Sequence, residues 1–146
     1  MGAAENLATH IRWAEAENSQ DVTVERWREF VHDDIEVIHM TGDTIRGIDT
    51  MVKNLQDSIE GMPDWQNTID DRFATDDRVV CRWRIRGVPE GGGEPIEVAG
   101  ISLWEFEDGR ARRGWILSNA TYLMSQGVDR AGAYSVHAHD GTVAEA

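Results

Sequence analysis

Apolar residues recur every three or four positions in the N-terminal part of the chain, a spacing that predicts helices. Three helices are predicted: one over residues 5–20, a second from Thr23 to Asp33, and a third over residues 48–60. The hydroxyl of Thr23 is expected to cap the second helix. The stripes expected to be buried are Leu7, Ile11 and Ala14 with Trp13 beside them in the first helix, and Met51, Val52, Leu55 and Ile59 in the third.

Beyond Pro63 the spacing changes to an alternation of apolar and polar residues, which is typical of strands. Four strands are predicted there, over residues 65–73, 78–88, 96–107 and 110–119, and a short strand over residues 35–40 precedes the third helix. Helices followed by an antiparallel meander predict one α+β domain over residues 1–126, with a curved antiparallel sheet wrapped by N-terminal helices around an apolar pocket. Residues 127–146 are poor in large apolar residues and are predicted to form a flexible tail.

Asp108 and Gly109 stand between the last two predicted strands and favour a two-residue hairpin turn in which both residues have positive φ. That turn predicts that Phe106 pairs with Ala111 and that Ser102 pairs with Trp115. The face expected to turn toward the helices then carries Trp83, Val98, Ser102, Trp104, Phe106, Ala111, Arg113, Trp115, Leu117 and Asn119. The opposite face mixes apolar residues with ion pairs, so it either remains in water or forms the two-fold interface of a homodimer, and the homodimer is preferred.

Charge, cysteine content and the absence of long apolar runs exclude several classes of protein. The 146-residue chain has a formal net charge of −13 and a single lysine, Lys53, so it repels phosphate backbones and anionic membranes, and neither partner is expected. No apolar run in the sequence approaches the roughly 18 residues of a membrane span, and the first residues do not resemble a signal peptide. The single cysteine, Cys81, provides neither a disulfide framework nor a cysteine-based metal site. A cytoplasmic location and no bound metal are expected.

Three side chains on the predicted inner face are candidates for chemistry. His39 alternates in phase with Ile35 and Val37, and it is either a proton-transfer group or a core histidine bonded to a backbone carbonyl. Asn119 and Ser102 are able to hydrogen-bond a substrate oxygen, or instead to satisfy the backbone of the sheet. The residues expected to bind the substrate are Trp104, Trp115, Trp83, Trp13, Trp65, Leu117, Tyr122 and Arg113.

The predicted pocket is an apolar hollow almost free of ionised groups. Arg113 is predicted to stack over Trp104 at the edge of this pocket, and the Cys81 thiol is expected to be buried and inert. The acidic pairs of the chain are predicted to be solvated, except that Asp71 alternates in phase with Ile69 and becomes a pocket carboxylate if that face turns inward.

Three segments carry a family resemblance. Residues 18–39 read NSQDVTVERWREFVHDDIEVIH, residues 60–87 read EGMPDWQNTIDDRFATDDRVVCRWRIRG, and residues 100–115 read GISLWEFEDGRARRGW. In order and spacing they resemble the SnoaL-like polyketide cyclases, which belong to the NTF2-like or ketosteroid-isomerase-like superfamily. The resemblance covers roughly residues 14–119 and implies a cone-shaped fold, usually dimeric, with no metal or organic cofactor. It also implies cyclisation or related acid–base chemistry on a bulky, largely apolar polyketide.

Two carboxylates of that family have no counterpart at the matching positions. The resemblance implies a pocket aspartate four residues after Trp115, where this chain has Asn119, and a glutamate before the tryptophan, where it has Arg113. The ordinary aldol-type mechanism therefore lacks its acid–base groups at these positions.

The sequence thus predicts a cofactor-independent cyclase that acts on a polyketide-derived intermediate in secondary-metabolite biosynthesis. The preferred mechanism is a pericyclic ring closure directed by pocket shape and hydrogen bonding, since well-held reactants gain up to roughly 7–11 kcal/mol. One alternative is an acid–base cyclase or isomerase that uses His39, and another is a non-catalytic protein that binds a hydrophobic metabolite. An epoxide hydrolase of the same superfamily would need paired inward carboxylates, and the sequence offers no convincing pair.

Overall fold

The structure is a computed structural model that describes residues 2–120. The chain order is α1 (Ala3–Asn18), α2 (Val24–Trp27), β1 (Val31–His39), β2 (Thr44–Arg46), α3 (Ile48–Gly61), β3 (Gln66–Ala74), β4 (Arg78–Gly87), β5 (Ile96–Glu107) and β6 (Arg110–Ser118). The predicted tail over residues 127–146 and the predicted pocket residue Tyr122 lie outside the described residues. Within the described part of the chain, no helix is long and apolar enough to cross a membrane.

The six strands form one mixed sheet in the order β2-β1-β6-β5-β4-β3. The α+β layout is confirmed, with the helices before the meander and packed on one face of the sheet, called here the inner face. All neighbouring strands pair antiparallel, as predicted, except β1 and β6, which are parallel. α1 lies on β3 and β4, while α3 lies against β1 and β2. Large side chains between these layers, among them Trp27, Phe30 and Trp65, are completely buried.

α1 buries a different face from the predicted one. Its buried residues are Asn6, Thr9, His10, Trp13 and Ala16, whereas Ile11 is 37% exposed. The Nδ2 of Asn6 donates to the carbonyls of Thr75 and Asp76 at 3.2 and 2.9 Å, so the turn after β3 anchors a polar face of the helix. Trp13 is buried as expected, but the stripe prediction is wrong for Ile11, because the buried polar residues Asn6 and His10 find hydrogen-bond partners outside the helix.

The second predicted helix is shorter than expected, and the strand that follows it begins earlier. α2 begins with the predicted cap, in which the backbone N–H of Arg26 donates to the hydroxyl of Thr23 at 3.1 Å. It ends after one turn because β1 starts at Val31, which pairs with Ala111 of β6. This pairing links residues about 80 apart in sequence, and local spacing does not reveal it. The short strand β2 was also not predicted.

The β5–β6 hairpin contains the predicted turn followed by an unpredicted bulge. Asp108 and Gly109 have φ of 52° and 77°, which confirms the turn, and Phe106 pairs with Ala111 as predicted. The register then shifts by one residue, so Ser102 pairs with Ile116, and the predicted pairing with Trp115 is wrong. A one-residue shift exchanges the two faces of every residue beyond it.

A second bulge has the same effect on β3. Ile69 pairs with Trp83, but the next paired residue is Asp71, which lies opposite Arg82. Asp71 therefore points to the outer face, where its Oδ2 accepts a hydrogen bond from Arg82 at 2.6 Å, and the suggestion that it is a pocket carboxylate is wrong. The residue after it, Arg72, turns to the inner face instead.

Candidate functional site

An open cavity lies between α1 and the inner face of the sheet. It is lined by His10, Trp13, Ala14 and Glu17 from α1, Asn67 and Ile69 from β3, Cys81 and Trp83 from β4, Ser102 and Trp104 from β5, and Ile116 from β6. Its lining is mainly apolar with a few polar groups, as in small-molecule sites.

Tryptophan side chains form the walls of this cavity. The rings of Trp13 and Trp104 are 4.7 Å apart at an interplanar angle of 55°, and Trp13 also stacks on Phe30 at 6.4 Å. Trp83 extends from the neighbouring strand, and its Nε1 donates to the hydroxyl of Ser102 at 2.8 Å. The walls therefore combine flat apolar surfaces with hydrogen-bonding groups whose orientation is set.

Glu17 places a carboxyl group among these rings. Burial raises its pKa from the ordinary 4.5 to about 7, and this effect outweighs the hydrogen bonds from the side chains of Asn67 and Trp65, which lower the pKa. The Nδ2 of Asn67 donates to Glu17 Oε2 at 2.5 Å. A carboxyl group with a pKa near 7 exchanges protons readily at neutral pH, which is the property that a general acid or base requires.

A pair of asparagines fixes the position of this carboxyl group relative to the sheet. Asn18, the residue after Glu17, accepts from the backbone N–H of Asn67 at 2.7 Å and donates to the Asn67 carbonyl at 2.8 Å. The end of α1 is thereby joined to β3 by two hydrogen bonds. These bonds fix the backbone of Asn67, whose side chain donates to Glu17.

His10 is a neutral member of the cavity wall. Arg72 Nε donates to its Nδ1 at 2.9 Å, so the ring proton lies on Nε2, which is 3.7 Å from the Cys81 sulfur. Burial and, to a smaller extent, the charge of Arg72 lower the pKa of His10 to about 3. His10 is therefore unable to accept a proton near neutral pH.

Cys81 and Ser102 are neighbours across β4 and β5 and supply the remaining polar atoms of the cavity floor. Burial raises the pKa of the Cys81 thiol to about 12, which keeps it protonated. Ser102 is buried, its hydroxyl oxygen accepts a hydrogen bond from Trp83, and its hydroxyl group also hydrogen-bonds the Cys81 sulfur.

The structure brings together only some of the residues that the sequence analysis singled out. Trp13, Trp83, Trp104 and Ser102 line the cavity. Trp65 is completely buried beside it and donates to Glu17. These residues come from α1, the start of β3, β4 and β5, which meet beneath the helix.

His39 and Asn119 lie apart from the cavity. His39 is buried in phase with Ile35 and Val37, on the inner face of β1, but it does not line the cavity. Asn119 is exposed, and its Oδ1 accepts from the backbone N–H of Ala99 at 2.9 Å. The Asn119 amide thus extends the hydrogen bonding between β5 and β6 past the end of β6.

The other three predicted wall residues lie on the outer face because of the β6 bulge. Gly114, rather than Arg113, lies opposite Trp104, so the predicted stack of Arg113 on Trp104 is wrong. Arg113 instead forms an ion pair with Glu36 at 3.0 Å. Trp115 is half-buried on the outer face, and Leu117 is 47% exposed there.

The expectation of a cavity without ionisable carboxylates is also wrong, because Glu17 lines it. The signal that could have identified Glu17 is its spacing from Trp13 and His10, four and seven residues earlier, which places all three on one helical face. The expected apolar stripe of α1 includes Ala14 and adjoins Trp13, both of which line the cavity, but it does not include Glu17.

Residues 11–114 match the family described as the SnoaL-like domain. Among solved structures, IdmH of Streptomyces antibioticus, a candidate polyketide cyclase, is 25% identical with a TM-score of 0.70, over 83% of this chain and 96% of that chain. A candidate SnoaL-like polyketide cyclase from Jannaschia sp. CCS1 is 20% identical with a TM-score of 0.74, over 84% and 91% of the two chains. A SnoaL-like polyketide cyclase from Agrobacterium tumefaciens C58 is 17% identical with a TM-score of 0.67, over 81% and 94%. No curated protein sequence matches the chain.

Proposed function

The chain belongs to the SnoaL-like domain family, and we propose that it is a cofactor-independent cyclase acting on a polyketide-derived small molecule in secondary metabolism. The observation that supports an enzyme most directly is Glu17, a carboxyl group with a pKa of about 7 inside a tryptophan-walled cavity. The likeness to IdmH, a candidate polyketide cyclase, supports the substrate class.

The proposed reaction is an aldol-type ring closure. The Glu17 carboxylate removes a proton from the carbon next to a substrate carbonyl, and the C–H electrons form an enolate. The Ser102 hydroxyl donates a hydrogen bond to the enolate oxygen. The enolate carbon then forms a bond with a second carbonyl carbon of the same substrate molecule. The oxygen of that second carbonyl takes the proton back from Glu17. Atoms and charge balance without any other reactant.

Of the mechanisms that the sequence left open, this cavity favours the acid–base route with Glu17 in place of His39. A pericyclic closure requires only shape and hydrogen bonds, so it gives no role to a carboxyl group held near pKa 7. His39 does not line the cavity, and His10 remains neutral because its pKa is about 3.

The test compares Glu17→Gln with the wild type on a linear polyketide supplied as its N-acetylcysteamine thioester. Cyclised product is measured by chromatography with mass detection, and binding is measured by quenching of tryptophan fluorescence. We expect the Glu17→Gln variant to lose about 100-fold or more in rate while still binding, the size typical of a lost general base. Glu60→Gln, which changes an exposed glutamate on α3, serves as the matched control.

The two other outcomes identify the competing functions. An unchanged rate in Glu17→Gln would favour the pericyclic route. Binding without turnover by the wild type, across linear polyketides of different lengths, would favour a metabolite-binding protein.

We also propose that the protein is a homodimer that pairs through the outer face of the sheet. Phe73, Ile101 and Leu117 are 62%, 52% and 47% exposed on that face, and the half-buried Trp115 lies among them. Exposed apolar side chains on one sheet face suit a self-complementary two-fold interface. Sedimentation equilibrium should give a dimer mass for the wild type and a monomer for Leu117→Glu, and a monomeric wild type would reject the proposal.

A further inference from the structure

Two of the cavity tryptophans lie directly over glycines of the neighbouring strand. A Cβ built on Gly114 would lie 2.2 Å from Cε3 and 2.3 Å from Cζ3 of Trp104. A Cβ on Gly100 would lie 2.5 Å from Cζ2 of Trp83. Since real Cβ atoms do not approach other atoms so closely, any side chain at either position would displace the indole.

The requirement for glycine at position 114 is one of space. The φ angles of Gly100 and Gly114 do not fall in the left-handed region, so the backbone alone would accept another residue at both positions. At Gly100 the carbonyl oxygen of Leu117 also lies 2.7 Å from the built Cβ, so part of that obstruction comes from the backbone. At Gly114 the three nearest atoms all belong to Trp104. A substitution at Gly114 therefore tests the contact between the glycine and the indole without a backbone obstruction.

The Trp104 ring has little room to move if a side chain is introduced at position 114. On one side its ring covers Gly114, and on the other it meets Trp13 of α1 at 4.7 Å. The side chain is 6% exposed, and both rings line the cavity. A methyl group at position 114 would therefore push the indole away from β6, toward α1 and into the space that a ligand would fill.

The β6 bulge is what brings glycine to this position. If the register of the hairpin continued from Phe106 and Ala111 without a shift, Arg113 would lie opposite Trp104. The shift places Gly114 there instead and sends the Arg113 side chain to the outer face. Bulge and glycine together leave room for the indole to lie flat on the sheet.

We propose that Gly114 is a specificity-determining residue that sets the depth of the cavity by seating Trp104 flat on β6, and so sets the largest ring system the protein accepts. This inference rests on the proposed function only in that the cavity is the ligand site. It does not depend on the role of Glu17 or on the reaction that is catalysed.

The test measures how Gly114→Ala changes the binding of ligands of two sizes. The probes are 1-naphthol, with two fused rings, and 1-hydroxyanthraquinone, with three, and titration calorimetry gives both association constants. We expect Gly114→Ala to weaken the binding of 1-hydroxyanthraquinone about tenfold or more and that of 1-naphthol clearly less, because a displaced indole takes up space that only the larger ring system needs. Ala99→Val adds methyl groups on the outer face of β5 and should leave both constants unchanged.

A double variant ensures that a folding defect does not obscure the result. Gly114→Ala combined with Trp104→Phe removes part of the ring that the new methyl group meets, so we expect binding of 1-hydroxyanthraquinone to return to within about threefold of Trp104→Phe alone. Circular dichroism checks the fold of each variant. If Gly114→Ala alone is unfolded, recovery of fold and binding in the double variant supports the inference, and failure to recover overturns it.

The remaining outcomes separate this inference from the proposed function. Equal loss of both probes in Gly114→Ala, or no loss of either, would overturn the role of Gly114 and leave the cyclase proposal standing. A size-dependent loss in a protein that never cyclises a linear polyketide would support Gly114 and reject the cyclase. A wild type that binds neither probe would overturn both.

Discussion

Replacing Glu17 by glutamine should change how the stability of the protein depends on pH. In the folded protein burial raises the pKa of Glu17 from 4.5 to about 7, whereas in the unfolded chain the carboxyl group is solvated. The folded state therefore holds this proton more tightly than the unfolded state does. The stabilising contribution is fully present below pH 4.5 and is lost as the pH rises through about 7.

The magnitude follows from those two pKa values. Between roughly pH 5 and 8.5 the linkage relation gives a loss of about 2.5 kcal/mol in the free energy of unfolding from this one group. The figure is an upper bound because Glu17 is half-buried, and solvent reaches it through the open cavity.

Urea unfolding of the wild type, Glu17→Gln and Glu60→Gln at a series of pH values provides the measurement. Subtracting the wild-type free energy at each pH cancels the contributions of the other titratable groups, and it also isolates any constant effect of the new amide. Relative to the wild type, Glu17→Gln should gain about 1–2.5 kcal/mol between roughly pH 5 and 8.5. Glu60→Gln should show no such trend because that side chain is exposed.

A difference between wild type and Glu17→Gln that stays constant to within about 0.5 kcal/mol across this range would contradict a raised pKa for Glu17. Glu17 would then be solvated in the folded protein, and the cavity would not hold a carboxyl group poised near neutral pH. The acid–base mechanism would lose its main support.

Two further predictions test the surroundings of this site. Asn67→Ala removes a hydrogen bond that lowers the pKa of Glu17, so the acidic limb of the pH–rate profile should move to higher pH, whereas an effect on folding alone would leave the profile in place. Cys81 is buried with a pKa of about 12, so a disulfide reagent should label it in urea but hardly at all in the native protein at neutral pH, and rapid native labelling would contradict its place in the cavity floor.

Features that depend on local spacing and turn chemistry can be predicted from the sequence. The alternation beyond Pro63 gave each of the four C-terminal strands to within one residue at either end. Asp108 and Gly109 specified the hairpin because few residues other than Asn, Asp and Gly accept positive φ in succession. The α+β layout followed from the order of these elements, and the ordered segments identified the family.

Which side chains meet in the cavity depends on strand pairing that local spacing does not reveal. The two bulges each insert one residue, and a one-residue shift moves Arg113, Trp115 and Leu117 from the expected inner face to the outer one. Whether a strand accepts a bulge depends on which side chains of the neighbouring strand pack against it, here the Trp104 ring over Gly114. The spacing of residues within one strand does not predict this packing.

The rotation of α1 was likewise decided by contacts distant in sequence. Asn6 reaches the turn after β3, and Asn18 reaches Asn67, so the polar face of the helix turns inward and carries Glu17 with it. An apolar stripe predicts the buried face of a helix only where no remote partner satisfies its polar side chains. Here such partners exist, and the chemistry that the protein can perform depends on them.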